Sequence, residues 1–378
     1  MTYLEHTVRM SAGPVRHQVL AIARSAPVRV LPVHGSRLDS AETVRSLARG
    51  AGAVAAVNGS FFDIRTGAAF SGHDGDPLGL LVENGTLLSE AANGRTALLL
   101  GTGGEGPRIV EARSVIRVTA ADGAARPVDG INRAPGRIVG CGGVGGDILE
   151  RTGQPTTGPV HNQLCTDGDE LVLFTPHWGP VTPAGGADAV EAVLASDGRI
   201  LRLRSATGPV PADGRVLRGI GNGAAWLRRH ARASTVLEIT SRVYDEKGRR
   251  IPEEGAGMVG AGPRLLRAGA TDINIEANGV ATTALGQRHP RTLAGVTADG
   301  ALLLVTVDGR DPGGSVGATF GEAAELMRSL GAHDAMNLDG GGSTTMIVNG
   351  GLRNRPRTGD GATARERPVA DALVVVPL

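Results

Sequence analysis

The chain has 378 residues, with 39 basic and 38 acidic side chains, so its net charge of +1 implies no cationic face for nucleic acid. Apolar residues make up 41% and aromatics only 2%, while 58 glycines fall without period, which excludes collagen and leaves a core of Val, Leu, Ile and Ala joined by glycine turns. No stretch approaches the roughly 20 apolar residues that span a bilayer, and residues 1–23 lack the apolar segment of a secretory leader. Two readings follow, a cytoplasmic protein or a secreted one without its leader.

In chain order, residues 39–50 are expected to form a helix, with Asp39 as N-cap and Glu42 three residues on. Val44, Leu47 and Ala48 share its apolar face. Ala53-Val54-Ala55-Ala56-Val57 follows as a buried strand that ends at Asn58-Gly59. Asn84-Gly85, between residues 78–82 and 86–88, signals a type I′ hairpin. Cys141 and Cys165 bracket a polar loop; they are either a disulfide contributing roughly 3 kcal/mol or two buried thiols. Residues 171–175 read as a strand, and residues 189–194 and 199–203 as a hairpin turning at Ser196-Asp197-Gly198.

The last third is the most regular. Residues 302–307 form a buried strand running into Asp308-Gly309-Arg310. Thr319 caps a helix with Glu322 at its third position; Ala323, Leu326, Met327 and Leu330 make its stripe, and Gly331 ends it. Residues 335–338 are the next strand, followed by a glycine turn and a strand at 345–348. This order suggests a crossover unit whose loops gather at one sheet edge. Residues 353–367 read as a polar surface loop and residues 370–376 as the closing strand. Strands at both ends predict one interlocked domain over residues 1–378, of class α+β (mixed α/β), with mixed sheets flanked by a few helices.

Candidate chemistry lies at strand ends. Asp339 precedes Gly340-Gly341-Gly342-Ser343 at the end of a buried strand, and three glycines let backbone N–H groups converge on an anion. The turn lacks the lysine of a P-loop, so nucleotide hydrolysis is not implied. Asn58 and Asp63 flank Phe61-Phe62, either as an Asx turn over two core rings or as a ligand-facing loop. Asp308 and Arg310 leave one strand, while His289, Arg291 and Thr292 precede the strand before it, so several polar groups converge on one site. Lys247 is the only lysine, leaving 39 − 1 = 38 arginines, a bias that reads first as codon usage and only in a few places as anion recognition. Gly140-Cys141-Gly142-Gly143-Val144-Gly145 has dinucleotide-fingerprint spacing but no helix after it, so it reads as a structural loop. Gly72-His73-Asp74-Gly75-Asp76 has too few carboxylates for a calcium loop and reads as a solvated turn. No Cys-x-x-Cys pair suggests a thiolate metal site.

Taken together these residues resemble the phosphodiester glycosidase family. Ala55-Ala56-Val57-Asn58-Gly59-Ser60-Phe61-Phe62-Asp63 is similar to its AVNGGFF motif, with Ser60 in place of a glycine. Gly262-Pro263-Arg264-Leu265, Arg291-Thr292-Leu293-Ala294-Gly295, Asp308-Gly309-Arg310, Asn337-Leu338-Asp339-Gly340-Gly341-Gly342-Ser343 and Glu366-Arg367-Pro368 follow in family order, so the resemblance covers about residues 54–378. It implies hydrolysis of a sugar 1-phosphodiester at the anomeric carbon, on a small-molecule or polysaccharide-linked substrate. No cofactor is required, and a structural divalent cation such as calcium is compatible.

The phosphate is then expected at Arg264 and Arg291, helped by Thr292, Ser343 and the N–H groups of Gly340, Gly341 and Gly342, with Arg310 among the residues that bind the substrate. Asp339 would face the reacting carbon as nucleophile or base, with Asp308 in reserve. Asn58 and Asp63 would hold sugar hydroxyls. Residues 137–174, with both cysteines, look like the pattern of secreted actinobacterial members, which implies an exported protein whose leader was removed. The alternatives are a non-catalytic carbohydrate- or phosphate-binding protein, and a metal-dependent phosphodiesterase cutting the P–O bond.

Overall fold

The computed structural model describes residues 1–67, 69–101, 105–142, 145–156, 158–186, 188–252, 254–280, 286–358 and 364–378. The expected α+β class is corrected: strands hold 43% of the chain and helices 9%, so the protein is mostly β. The helices Val44–Gly50, Gly221–His230 and Phe320–Ser329 are the three α-helices among the described residues. The short apolar runs between glycine turns, which composition alone had pointed to, became strands throughout the central third as well. There the 13-residue strand Arg108–Ala120 alternates buried and exposed side chains, a half-buried period of two.

Two sheets position the site. The seven-stranded sheet runs, in spatial order, Thr2–Met10, Gly13–Ile22, Leu302–Val307, Arg291–Thr297, Ala332–Asn337, Arg264–Arg267 and Ala270–Thr271. The five-stranded sheet runs Gly351–Leu352, Met346–Val348, Ala55–Asn58, Asp371–Pro377 and Val28–His34. The expected crossover is present: Leu302–Val307 and Ala332–Asn337 both lie antiparallel to Arg291–Thr297, so they run parallel to each other, with helix Phe320–Ser329 between them in sequence. The glycine turn after Leu338 carries the chain from the first sheet into the second. One apolar cluster holds Val57, Phe61, Leu338, Met346 and Leu373 together, so the roots of both candidate loops share a core.

Local signals held where side chains could satisfy the backbone on their own. Thr319 and Glu322 form the reciprocal capping box, and Arg288 grips Glu322 through two nitrogens at 2.6 and 2.7 Å. Asn84 and Gly85 take φ of 46° and 80°, as a type I′ turn requires. The helix expected from residue 39 begins instead at Val44 with Thr43 as N-cap, because Glu42 is drawn into a two-residue strand against Pro368–Val369. Cys141 and Cys165 are joined as a disulfide. In the loop they hold, the Gly142 N–H donates to Asp147 at 2.9 Å; Gly143 and Val144 lie outside the described residues. No helix among the described residues is long and apolar enough to cross a membrane.

Candidate active site

The loop after Val57 and the turn after Leu338 meet. Asn58, fully buried, donates from Nδ2 to the Asp339 carbonyl at 2.7 Å, and the Asp339 N–H donates to the Gly59 carbonyl at 2.9 Å. Asn58 Oδ1 accepts the Thr292 hydroxyl at 2.6 Å and the Thr345 N–H at 3.1 Å. Asn58 and Thr292 therefore pin the backbone of the turn from within rather than facing a sugar or a phosphate. Gly59 is required where it stands, because a Cβ there would run into the Asp371 carboxylate.

The Asp339 carboxylate accepts the Gly340 N–H at 2.9 Å through Oδ1, while Oδ2 is buried without a hydrogen-bond partner of good geometry. Burial pushes this carboxyl up to about 6; the Ser343 hydroxyl, the Arg367 guanidinium and the Gly340 N–H oppose the shift, and Asp371 adds to it. Asn337 Oδ1, Thr344 Oγ1 and Thr345 Oγ1 are likewise buried without partners. Four such atoms within nine residues is a concentration that folding alone disfavours, and strained polar satisfaction of this kind gathers at functional sites.

Two arginines face the turn. Gly341, at φ 60°, leaves room for Arg310, whose Nη2 would lie 3.1 Å from a Cβ at that position. Arg310 itself sits at φ 59°, donates to the Arg357 carbonyl at 3.0 Å and lies 3.4 Å from His289 Nδ1. Arg367 lies against Gly342 and reaches the Ser343 hydroxyl at 3.5 Å. Burial, and then Arg367, lower the Arg310 guanidinium from its ordinary value; two cations held this close favour an anion between them. Of the three expected N–H donors, that of Gly340 serves Asp339 and that of Gly341 the Pro290 carbonyl at 2.8 Å, which leaves Gly342.

The other expected site residues lie elsewhere. Arg264 is committed to ion pairs with Glu111 and with Asp272, the latter at 2.8 Å. Arg291 is buried under the turn, stacked 4.1 Å over the Phe320 ring and donating to the Ala318 and Gln287 carbonyls, with its guanidinium pushed down to about 9 by burial. Asp308 occupies a separate cavity of about 60 Å³, where it accepts the Arg355 N–H at 2.7 Å and pairs with Arg16 at 3.4 Å. Asp63 closes its own loop on the Ser71 hydroxyl at 2.6 Å. Asp76 is buried, not solvated, and burial, with Glu90 and Asp63 adding, raises its carboxyl well above the ordinary range. Among the described residues no group of three or more His, Cys, Asp or Glu side chains is placed to hold a metal ion.

Two residues were missed. Asp371 opens the buried strand Asp371–Pro377 as its one charged residue, and it accepts both the N–H and the hydroxyl of Ser60. That lone carboxylate heading an apolar run was the available signal. Arg367 lies in Glu366-Arg367-Pro368, and only folding brings it back against Gly342.

Fold and site together define a mostly β protein with a buried carboxylate at an arginine-faced glycine turn. A family model described as phosphodiester glycosidase matches residues 189–376. A candidate exported protein of Burkholderia pseudomallei superposes with a TM-score of 0.83 at 32% identity, over 96% of this chain and 74% of that one. A protein from Synechocystis, at TM-score 0.74 and 21% identity over 100% of this chain and 62% of that one, shares the fold. The SPbeta prophage-derived protein YomE of Bacillus subtilis (strain 168) is 40% identical over 91 residues, 24% of this chain, and the match covers 13% of that relative's length. The chain belongs to the phosphodiester glycosidase family.

Proposed function

We propose that this protein hydrolyses a sugar 1-phosphodiester at the anomeric carbon, releasing a sugar and a phosphate monoester. The observation that carries the reading is one turn where two arginines stand beside a buried carboxylate, one oxygen of which lacks a hydrogen bond of good geometry. Arg310, Arg367, the Ser343 hydroxyl and the Gly342 N–H take the phosphate, and planar guanidinium forks suit its oxygens. Phosphate leaves readily, so the site's contribution is charge stabilisation more than proton donation. Asp339 faces the oxocarbenium-like carbon as nucleophile or base. Asn58 and Thr292 hold Asp339 in register by its backbone, and Arg291 supports the turn from below.

Residues 1–378 act here as one catalytic domain, a reading supported by the pairing of Gly13–Ile22 with Leu302–Val307 and of Val28–His34 with Asp371–Pro377. The disulfide and the candidate exported relative support work outside the reducing cytoplasm. The test is a panel of glycosyl 1-phosphodiesters assayed for reducing sugar and for phosphate monoester. Equimolar release of both is expected from at least one member. Saturable binding across the panel without release would make the protein a binding protein instead.

A further inference from the structure

Asp371 is buried at the same junction as Asp339, and the Gly59-Ser60 segment joins them. The Gly59 carbonyl accepts the Asp339 N–H, while the Ser60 N–H and hydroxyl both donate to Asp371. On the other side Asp371 stands directly opposite His34 in the antiparallel ladder between Asp371–Pro377 and Val28–His34. Directly opposed residues project from the same face of a sheet, so the imidazole and the carboxylate are neighbours. Both ring nitrogens of His34 are engaged: Nδ1 lies 2.5 Å from Glu83 Oε2, and Nε2 lies 3.2 Å from Nδ1 of the exposed His177. The His34 side chain is itself 9% exposed. With both nitrogens held, the ring has one orientation beside the Asp371 carboxylate.

We propose that Asp371 is a positioning residue for Asp339, and that His34, held between Glu83 and His177, keeps Asp371 in its anionic form. This rests on the reading of Asp339 as the reacting carboxylate. Among the described residues, His34 is faced by Glu42, Glu83, His177 and Asp371. Asp371 is faced by His34, Glu83 and Asp339. Burial pushes the Asp371 carboxyl up to about 6, with Ser60 and His34 opposing and Glu83 adding. Asp339 therefore ionises beside a neighbouring anion, which adds to the upward push of burial. His34 acts on Asp339 only through Asp371, so the effects of altering the two residues do not add.

The experiment is the acid limb of the kcat/KM profile on an activated glycosyl phosphodiester, for the full chain and three variants. Asp371→Asn removes the neighbouring charge and moves the limb to lower pH by about one unit. His34→Gln moves it in the same direction by less, and His34→Gln with Asp371→Asn moves it no further than Asp371→Asn alone. Additive shifts, or a limb that His34→Gln leaves in place, overturn the proposal. Should Asp371→Asn fail to fold, His177→Asn replaces it, with a shift in the sense of His34→Gln. Carboxyl-carbon NMR titration of Asp339 in the wild type and in His34→Gln reads the same shift without turnover. A chain that hydrolyses no phosphodiester thus refutes the reaction, while the inference is still decided by that titration.

Discussion

Asp339→Asn is expected to lower hydrolysis of an activated glycosyl phosphodiester on the order of 10³-fold or more, in a protein that still folds. Asparagine keeps the acceptor for the Gly340 N–H and the backbone bonds to Asn58 and Gly59, so only the charge is lost. The same substitution is expected to raise the melting temperature at pH 8. A carboxyl lifted to about 6 from its ordinary 3.8 binds its proton more tightly in the folded chain than in the unfolded one. Stability therefore declines as pH rises from about 4 to about 6, and the loss persists above that window. An amide removes this cost, so the difference in melting temperature between variant and wild type should be small at pH 4 and positive at pH 8. Near wild-type turnover by the folded variant would remove Asp339 from the mechanism.

The second large effect belongs to the arginines. Arg310→Gln and Arg367→Gln are each expected to reduce kcat/KM about 10²-fold, the scale of one lost donor to developing charge. Inorganic phosphate should inhibit the wild type competitively and each variant much more weakly. Arg264→Gln separates this from a general need for positive charge: its guanidinium serves Glu111 and Asp272, so it should weaken stability and leave phosphate inhibition in place. Phosphate inhibition that survives in both Arg310→Gln and Arg367→Gln would move the anion away from the turn.

The meeting of the two loops was legible in the sequence because each motif ends a buried strand, and strand ends brought to one edge converge. Helix Phe320–Ser329 and the hairpin at Asn84-Gly85 were legible because their caps and turn residues act over three or four positions. The choice among arginines was not. Arg264 and Arg291 stand in conspicuous motifs, yet their direction depends on partners far away in sequence: Glu111 for one, the Phe320 ring for the other. Arg367 reaches the site from 24 residues beyond Ser343. Polar residues at a strand end, such as Asn58 and Asp63, suit ligand contact by sequence alone, but burial turns both to holding backbone and loop. The α+β expectation gives helices too large a share for a similar reason: short strands are stabilised by neighbours that local sequence does not name.

On the proposed reaction, the bond broken lies between the anomeric carbon and the bridging oxygen, at the turn after Leu338. Hydrolysis in ¹⁸O-labelled water tests it most directly. The label is expected in the anomeric hydroxyl of the released sugar, with the phosphate monoester unlabelled. Label in the phosphate would mean that the P–O bond is cleaved, and would overturn attack at the anomeric carbon.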